Sequence, residues 1–266
     1  MSAAALDIID LTIGYESKDG STIVAGGINA ALGKGELVAL VGRNGAGKST
    51  LLRTLAAYNR PLDGCITYDG DDVSSLSMQQ LAKKISVVLT AATPVANMSV
   101  RELVSLGRTP HTNFLGLLTD NDRMVVEQAM ETMSVAQFAS RDIFALSDGE
   151  RQKCMIAKAL AQQTPLIMLD EPTAYLDYPS KVRLMRMLKH LAATEGKGVI
   201  VSTHDLDIAL RLADKMWLMH GGRLVAGSVA ELSAAGALSA FIDDEGVCYN
   251  VKANCIEFKN TDEIRF

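Results

Sequence analysis

Eight consecutive residues, Gly42-Arg43-Asn44-Gly45-Ala46-Gly47-Lys48-Ser49, match G-x-x-x-x-G-K-[ST]. Their chemistry is phosphate binding. Glycines let the backbone bend so that several N–H groups point at phosphate oxygens. A helix starting at Lys48 adds the positive end of its dipole. Lys48 has the reach to meet β- and γ-phosphates, and the Ser49 hydroxyl suits Mg²⁺. A second group lies 122 residues after Lys48: the apolar run Leu166-Ile167-Met168-Leu169 ends in Asp170 and Glu171. A phosphate-loop nucleotidase needs an acid on a neighbouring strand to hold Mg²⁺, and Asp170 fits. Glu171, one residue on, suits the general base for an attacking water. The implied ligands are a nucleotide carrying β- and γ-phosphates, and Mg²⁺.

These groups require elements that aim them. Leu6 to Ile13 reads as a β-branched strand, Glu16 to Ser21 as a hairpin turn, and Ile28 to Leu32 and Glu36 to Val41 as strands. Lys48 to Ala57 has helical character. Cys65 to Tyr68 is a short strand before the turn Asp69-Gly70. Ser77 caps a helix to Lys84, and Ile85 to Leu89 is an apolar strand. Ser99 and Glu102 form a capping box. Asp120 to Val135 is helical, with Met124, Val125, Ala129 and Met133 on one face. A further helix runs from Leu146 to about Gln162. Gly198 to Val201 is a buried strand, preceded by a helix from Pro179 to Thr194. Met216 to Met219 and Leu224 to Ala226 form a closing hairpin, and Val247 to Val251 and Cys255 to Phe258 are β-like.

The expected fold is α/β: a P-loop NTPase core with a mainly parallel sheet, an N-terminal antiparallel β part and a helical subdomain at about 91–163. Residues 1–240 form the nucleotide-binding domain and 241–266 a short C-terminal extension. The length, 266 residues, is ample for a hydrophobic core. Net charge is −5, which argues against a nucleic-acid partner. Mean hydropathy is +0.15, yet no window approaches the roughly 18 apolar residues of a membrane span. Met1 to Asp10 lacks a basic region, so no signal peptide is expected and the chain should stay in the cytosol. The four cysteines are scattered and read as reduced thiols.

Three further segments complete a pattern. Leu146-Ser147-Asp148-Gly149-Glu150 is a variant of an LSGGQ signature. Ala174-Tyr175-Leu176-Asp177 is similar to a D-loop, and Ser202-Thr203-His204-Asp205 to a switch-histidine loop. With both phosphate motifs, in this order over residues 6 to 235, the sequence resembles the ATP-binding subunit of an ABC transporter. The resemblance implies a head-to-tail dimer with a second copy, sandwiching two ATP molecules. Residues Gly42 to Ser49 and Thr50 would contact nucleotide, and Tyr15 would stack on adenine, although a strand-end tyrosine is also ordinary. Ser147 and Gly149 of one subunit would touch the γ-phosphate held by Lys48 of the other. His204 would position the water with Glu171.

Two departures stand out. Asp148 replaces a glycine and should repel polyphosphate unless it points away or pairs with a cation. Thr90 stands where the family has the Q-loop glutamine, and its shorter hydroxyl could ligate Mg²⁺ directly or through water. Leu106-Gly107-Arg108-Thr109-Pro110-His111 resembles a segment of ATPases from importers of iron-siderophore, haem and cobalamin, though a Pro-containing loop with an exposed Arg would read the same. The resemblance implies transmembrane permease subunits as partners, indirectly a substrate-binding protein, and a cytoplasmic position on the inner face of the membrane. A soluble ABC-type ATPase, or a subunit for another substrate, is the competing reading. The single phosphate loop and the absence of a heptad run weigh against the soluble one.

Overall fold

A computed structural model describes residues 4–17, 20–89, 97–113, 116–244 and 246–259. The chain opens with β1 (Ala4–Ser17) and β2 (Gly20–Gly33), then β3 (Leu37–Gly42) and α1 (Lys48–Leu55). Next come β4 (Asp63–Tyr68), β5 (Asp71–Asp72), α2 (Met78–Lys84) and β6 (Ile85–Val88). A helical stretch holds α3 (Val100–Ser105), α4 (Asp120–Thr132) and α5 (Asp148–Ala161). Then follow β7 (Leu166–Asp170), α6 (Tyr178–Glu195), β8 (Gly198–Thr203), α7 (Leu206–Leu212), β9 (Lys215–His220) and β10 (Arg223–Ser228). The chain closes with α8 (Val229–Ala234), α9 (Ala237–Ile242), β11 (Val247–Asn250) and β12 (Cys255–Phe258).

The first sheet is antiparallel, in the order β2-β1-β4-β5. On β1, Leu6 and Ile8 are buried, then Leu11 and Ile13, a change of phase by one residue. The ladder shifts register between Ile8 and Leu11, where Asp10 adopts a φ of 47°. A bulge there restores the apolar side to the core. The hairpin strands run further than the apolar pattern suggests. Glu16 pairs with Ser21 and Ser17 with Gly20, so residues expected in a turn belong to the ladder. Hydrogen-bond register carries the strands past the point where burial ends.

The second sheet has the order β10-β9-β3-β8-β7-β6, parallel apart from the β9–β10 hairpin. Every residue of β3, β7 and β8 is buried, as the continuous apolar runs require of strands covered on both faces. Strand order then decides what meets. The carboxyl ends of β3, β8 and β7 lie side by side, with Val41 opposite Thr203 and Asp170 opposite Ser202. Loops leaving adjacent parallel strands share one crevice.

The helical stretch corrects one expectation. On α4 the inward residues are Asp122, Val126, Ala129 and Met130, while Met124 is 64% exposed. Asp122 turns inward because Arg108 waits there. The Arg108 Nε donates to Asp122 Oδ1 at 2.8 Å, and Nη1 donates to the Ala161 carbonyl at 2.8 Å and to Gln163 Oε1 at 2.9 Å. Both side chains are buried, so the Leu106–His111 segment is a packed 3-10 element and its Arg is not exposed. Gly107 is required there, since a Cβ would lie 2.3 Å from the Lys158 carbonyl of α5. Arg108→Met is expected to destabilise the fold by about 3–5 kcal/mol, read by urea unfolding, because it strands a buried carboxylate. Hydrogen bonds from Thr119, and then Arg108, hold Asp122 down at about 2, against an ordinary value of 3.8. Since the folded value is the depressed one, this contribution is present above pH 4 and is lost as pH falls toward 2.

Candidate active site

The loop between β3 and α1 has the shape an anion needs. Gly47 caps α1 in a left-handed conformation, φ 102°, with no side-chain acceptor and no acid in the first turn. Elsewhere α2, α3, α4, α5 and α8 all begin with a Ser or Thr capping box. Like the shorter α7 and α9, α1 presents first-turn N–H groups that no side chain caps, at the positive end of a helix. Gly47 also needs its missing side chain, since a Cβ would sit 2.5 Å from Val24 Cγ1 and 2.8 Å from Met219 Cε. The loop thus fits a phosphate group, which would complete the orphaned donors.

Lys48 is 6% exposed, and its Nζ donates to the Gly42 carbonyl at 2.8 Å and the Arg43 carbonyl at 3.4 Å. Burial pulls its pKa down, opposed by the charges of Glu171 and Asp170. Around it the loop ends converge. His204 Nε2 lies 3.3 Å from Lys48 Nζ and 2.6 Å from Glu171 Oε1, and Glu171 Oε1 is 3.9 Å from Lys48 Nζ. These three groups come from three separate segments, brought together by adjacency of β3, β8 and β7. Ser49, on the first turn of α1, and Asp170, at the end of β7, supply a hydroxyl and a carboxylate. Hard oxygen donors of this kind suit Mg²⁺.

The sequence marks Ser202 only as the start of the histidine segment, and its contacts are not foreseen there. Ser202 is fully buried on β8, donates to Asp170 Oδ1 at 2.6 Å and accepts from the Glu171 backbone N–H at 2.8 Å. It locks both acids at the strand end, with Glu171 at a φ of 49°. The signal available was a serine inside an apolar strand two residues before His204.

Tyr15, near the end of β1, is 48% exposed and its hydroxyl lies 2.7 Å from Thr50 Oγ1. Thr50 is buried, so it anchors the tyrosine to the first turn of α1 while the ring keeps an open face. The signature lies apart. Ser147 caps α5 and its hydroxyl donates to Glu150 Oε2 at 2.7 Å, which also accepts the Ser147 N–H at 2.9 Å. Those bonds hold the Glu150 carboxyl below its ordinary range. Asp148 pairs with Arg151 at 3.1 Å, and Arg151 also donates to the Leu146 carbonyl and stacks over Phe144. The carboxylate that replaces a signature glycine thus carries its own cation. Gly149 abuts the loop after β7, where a Cβ would lie 3.2 Å from the Tyr175 carbonyl. The described hydrogen bonds of the Ser147 hydroxyl go to Glu150, with none to Lys48, Glu171 or His204. Asp177, expected in a D-loop, is the N-cap of α6. Thr90 lies outside the described residues.

A phosphate loop between a central parallel strand and a helix, with acids on the next strand but one and a histidine between, defines a P-loop nucleoside triphosphatase. The chain belongs to the ABC transporter family, whose model matches residues 25–174, and it is an ATPase of that family. It is 36% identical over 252 residues to an ABC transporter ATP-binding protein of Methanocaldococcus jannaschii, covering 94% of this chain and 86% of that one. The iron(3+)-hydroxamate import ATP-binding protein of Bacillus subtilis is 35% identical over 221 residues, covering 83% and 81%. The hemin import ATP-binding protein of Streptomyces coelicolor is 38% identical over 242 residues, covering 91% and 85%. Among solved structures, a chain of an inward-facing transporter described as metal-chelate type superposes with a TM-score of 0.75 at 29% identity, covering 90% and 88%.

Proposed function

We propose that this chain is the ATP-hydrolysing subunit of an importer that drives a metal chelate, an iron-siderophore, haem or cobalamin, through a membrane permease. The observation that carries the reaction is the convergence of Lys48, Glu171 and His204 within 3.9 Å at the ends of adjacent strands. The cargo class is supported by the iron(3+)-hydroxamate and hemin import relatives.

ATP enters with its phosphates on the α1 N-terminus and its adenine against Tyr15. Gly42 to Thr50 wrap the phosphates, and Lys48 exchanges loop carbonyls for β- and γ-phosphate oxygens. Glu171 accepts a proton from water as the water oxygen bonds to the γ-phosphorus. The bond from that phosphorus to the β–γ bridging oxygen breaks, giving ADP and phosphate. His204 holds Glu171 and the transferring group in line. Ser49 and Asp170, with Thr90, would hold Mg²⁺, which would supply positive charge to offset that of the triphosphate.

Ser147 and Gly149 serve the site of a second copy, so the working unit is a head-to-tail dimer. The segment at about 91–163 receives the permease, 241–266 is an extension, and a substrate-binding protein acts from the far side of the membrane. No helix among the described residues is long and apolar enough to cross a membrane. The import relatives support placing the chain as a peripheral subunit on the cytoplasmic face. Detergent extraction and affinity purification of the tagged chain test this. Two polytopic proteins in the eluate, with ATPase activity stimulated by loaded binding protein, are the expected outcome. Recovery with ribosomes or DNA instead would remove transport from the reading.

A further inference from the structure

Asp205, directly after His204, ties together three segments of the site. Its Oδ2 accepts from Thr173 Oγ1 at 3.0 Å, and Thr173 lies two residues after Glu171. Its Oδ1 accepts from Lys181 Nζ at 3.0 Å, one turn into α6. Its own N–H donates to Thr203 Oγ1 at 3.0 Å. One carboxylate thus bridges the loop after β7, the start of α6 and the loop after β8. Lys181 is firmly placed for this: its backbone N–H donates to the Asp177 carbonyl at 2.9 Å, and its side chain is 23% exposed.

We infer that Lys181 is a positioning residue for ATP hydrolysis: through Asp205 it holds His204 at hydrogen-bond distance from Glu171. The inference rests on hydrolysis as the reaction of this site. The physical reason is charge and geometry together. Asp205 is 26% exposed, and Lys181 is the cation paired with it among the described residues. Without that ammonium the carboxylate gains by turning toward water. The Thr173 bond then loosens, and the His204 side of the site loses one of its ties to the loop after Glu171. The phosphate loop is held by β3 and α1 and shares none of these bonds. ATP binding should therefore survive while the chemical step slows.

The test uses the full chain assembled with its permease and reads ATPase rates over a range of ATP. Wild type and Glu171→Gln are compared first. An active wild type and a silent Glu171→Gln keep the hydrolysis reading, whereas equal rates end it and the inference with it. Lys181→Met is then expected to lower kcat about tenfold with KM changed less than about twofold. Lys181→Arg should recover most of the rate. In an Asp205→Asn background, Lys181→Met should add nothing, because both changes break one connection. If Lys181→Met fails to fold, Lys181→Gln, which keeps a donor and loses the charge, carries the same expectation. A kcat unaffected by losing the charge, a matching rise in KM, or an undiminished effect in the Asp205→Asn background overturns the assignment.

Discussion

Glu171→Gln is expected to reduce kcat for ATP hydrolysis by about 10²- to 10⁴-fold while ATP still binds. Glutamine keeps the length and shape of the side chain. Its amide oxygen can take over the acceptor position toward His204 Nε2, now 2.6 Å from the carboxylate. The ability to take a proton from water is lost together with the carboxylate charge. The backbone of residue 171 is fixed independently, by the N–H bond to Ser202 and the strand pairing beneath it, so the variant should fold normally. Removing the negative charge also relieves repulsion toward the incoming triphosphate. The Kd for ATP, measured by calorimetry or nucleotide fluorescence, should be unchanged or tighter. Single-turnover rates at saturating ATP make the check. Near-wild-type turnover in this variant would remove Glu171 as base and point to a water held by phosphate itself.

Lys48→Ala should have the second large effect, on binding as well as on rate. The ammonium is nearly enclosed, bonded to two loop carbonyls and close to Glu171 and His204. Charge-assisted contacts of this kind contribute about 1.5–3 kcal/mol each, so ATP affinity should fall about 10- to 100-fold. Turnover should fall further, because charge grows on the leaving oxygen in the transition state. The unliganded fold should suffer little. Alanine leaves the carbonyls of Gly42 and Arg43 to water, and Lys48 is the first residue of a helix anchored by Leu51, Leu52 and Leu55. Thermal unfolding with and without ATP separates the two effects. The variant should melt near wild type alone and lose the upward shift that ATP gives the wild type.

Lys48, Glu171 and His204 lie in mutual contact at the ends of adjacent strands. The Lys48 ammonium and the His204 ring both face the Glu171 carboxylate. Binding a triphosphate must replace these contacts, and the carboxylate released from Lys48 becomes free to face water. The signature, with Asp148 neutralised by Arg151, stands on a different helix and has no part in this cluster. This separation supports the proposed pairing between copies.

Local chemistry was legible in the sequence wherever a few contiguous residues suffice. The phosphate loop works through its own backbone and the helix it starts, so Gly42 to Ser49 identify it unaided. The capping box at Ser99 and the helix cap at Ser77 are set within four consecutive residues and were equally readable. The buried runs of β3, β7 and β8 announced a covered parallel sheet. Met124 was misplaced because helical spacing allows several neighbouring faces, and a buried Asp122 opposite Arg108 selected another. The ends of β1 and β2 ran past their apolar residues because pairing, not burial, sets where a hairpin stops.

What the sequence alone determined is the kind of chemistry: a phosphate cradle, an acid pair after a buried strand, and a histidine after another. Tertiary structure decided which of these residues touch. Strand order placed β8 between β3 and β7, which is why His204 meets both Lys48 and Glu171. The same packing made Ser202 the clamp on two acids, joined Lys181 to Asp205, and buried Arg108 against Asp122. Each pair is separated by 14 to 32 residues of chain. No local spacing rule reaches that far, because such contacts depend on where whole strands and helices pack.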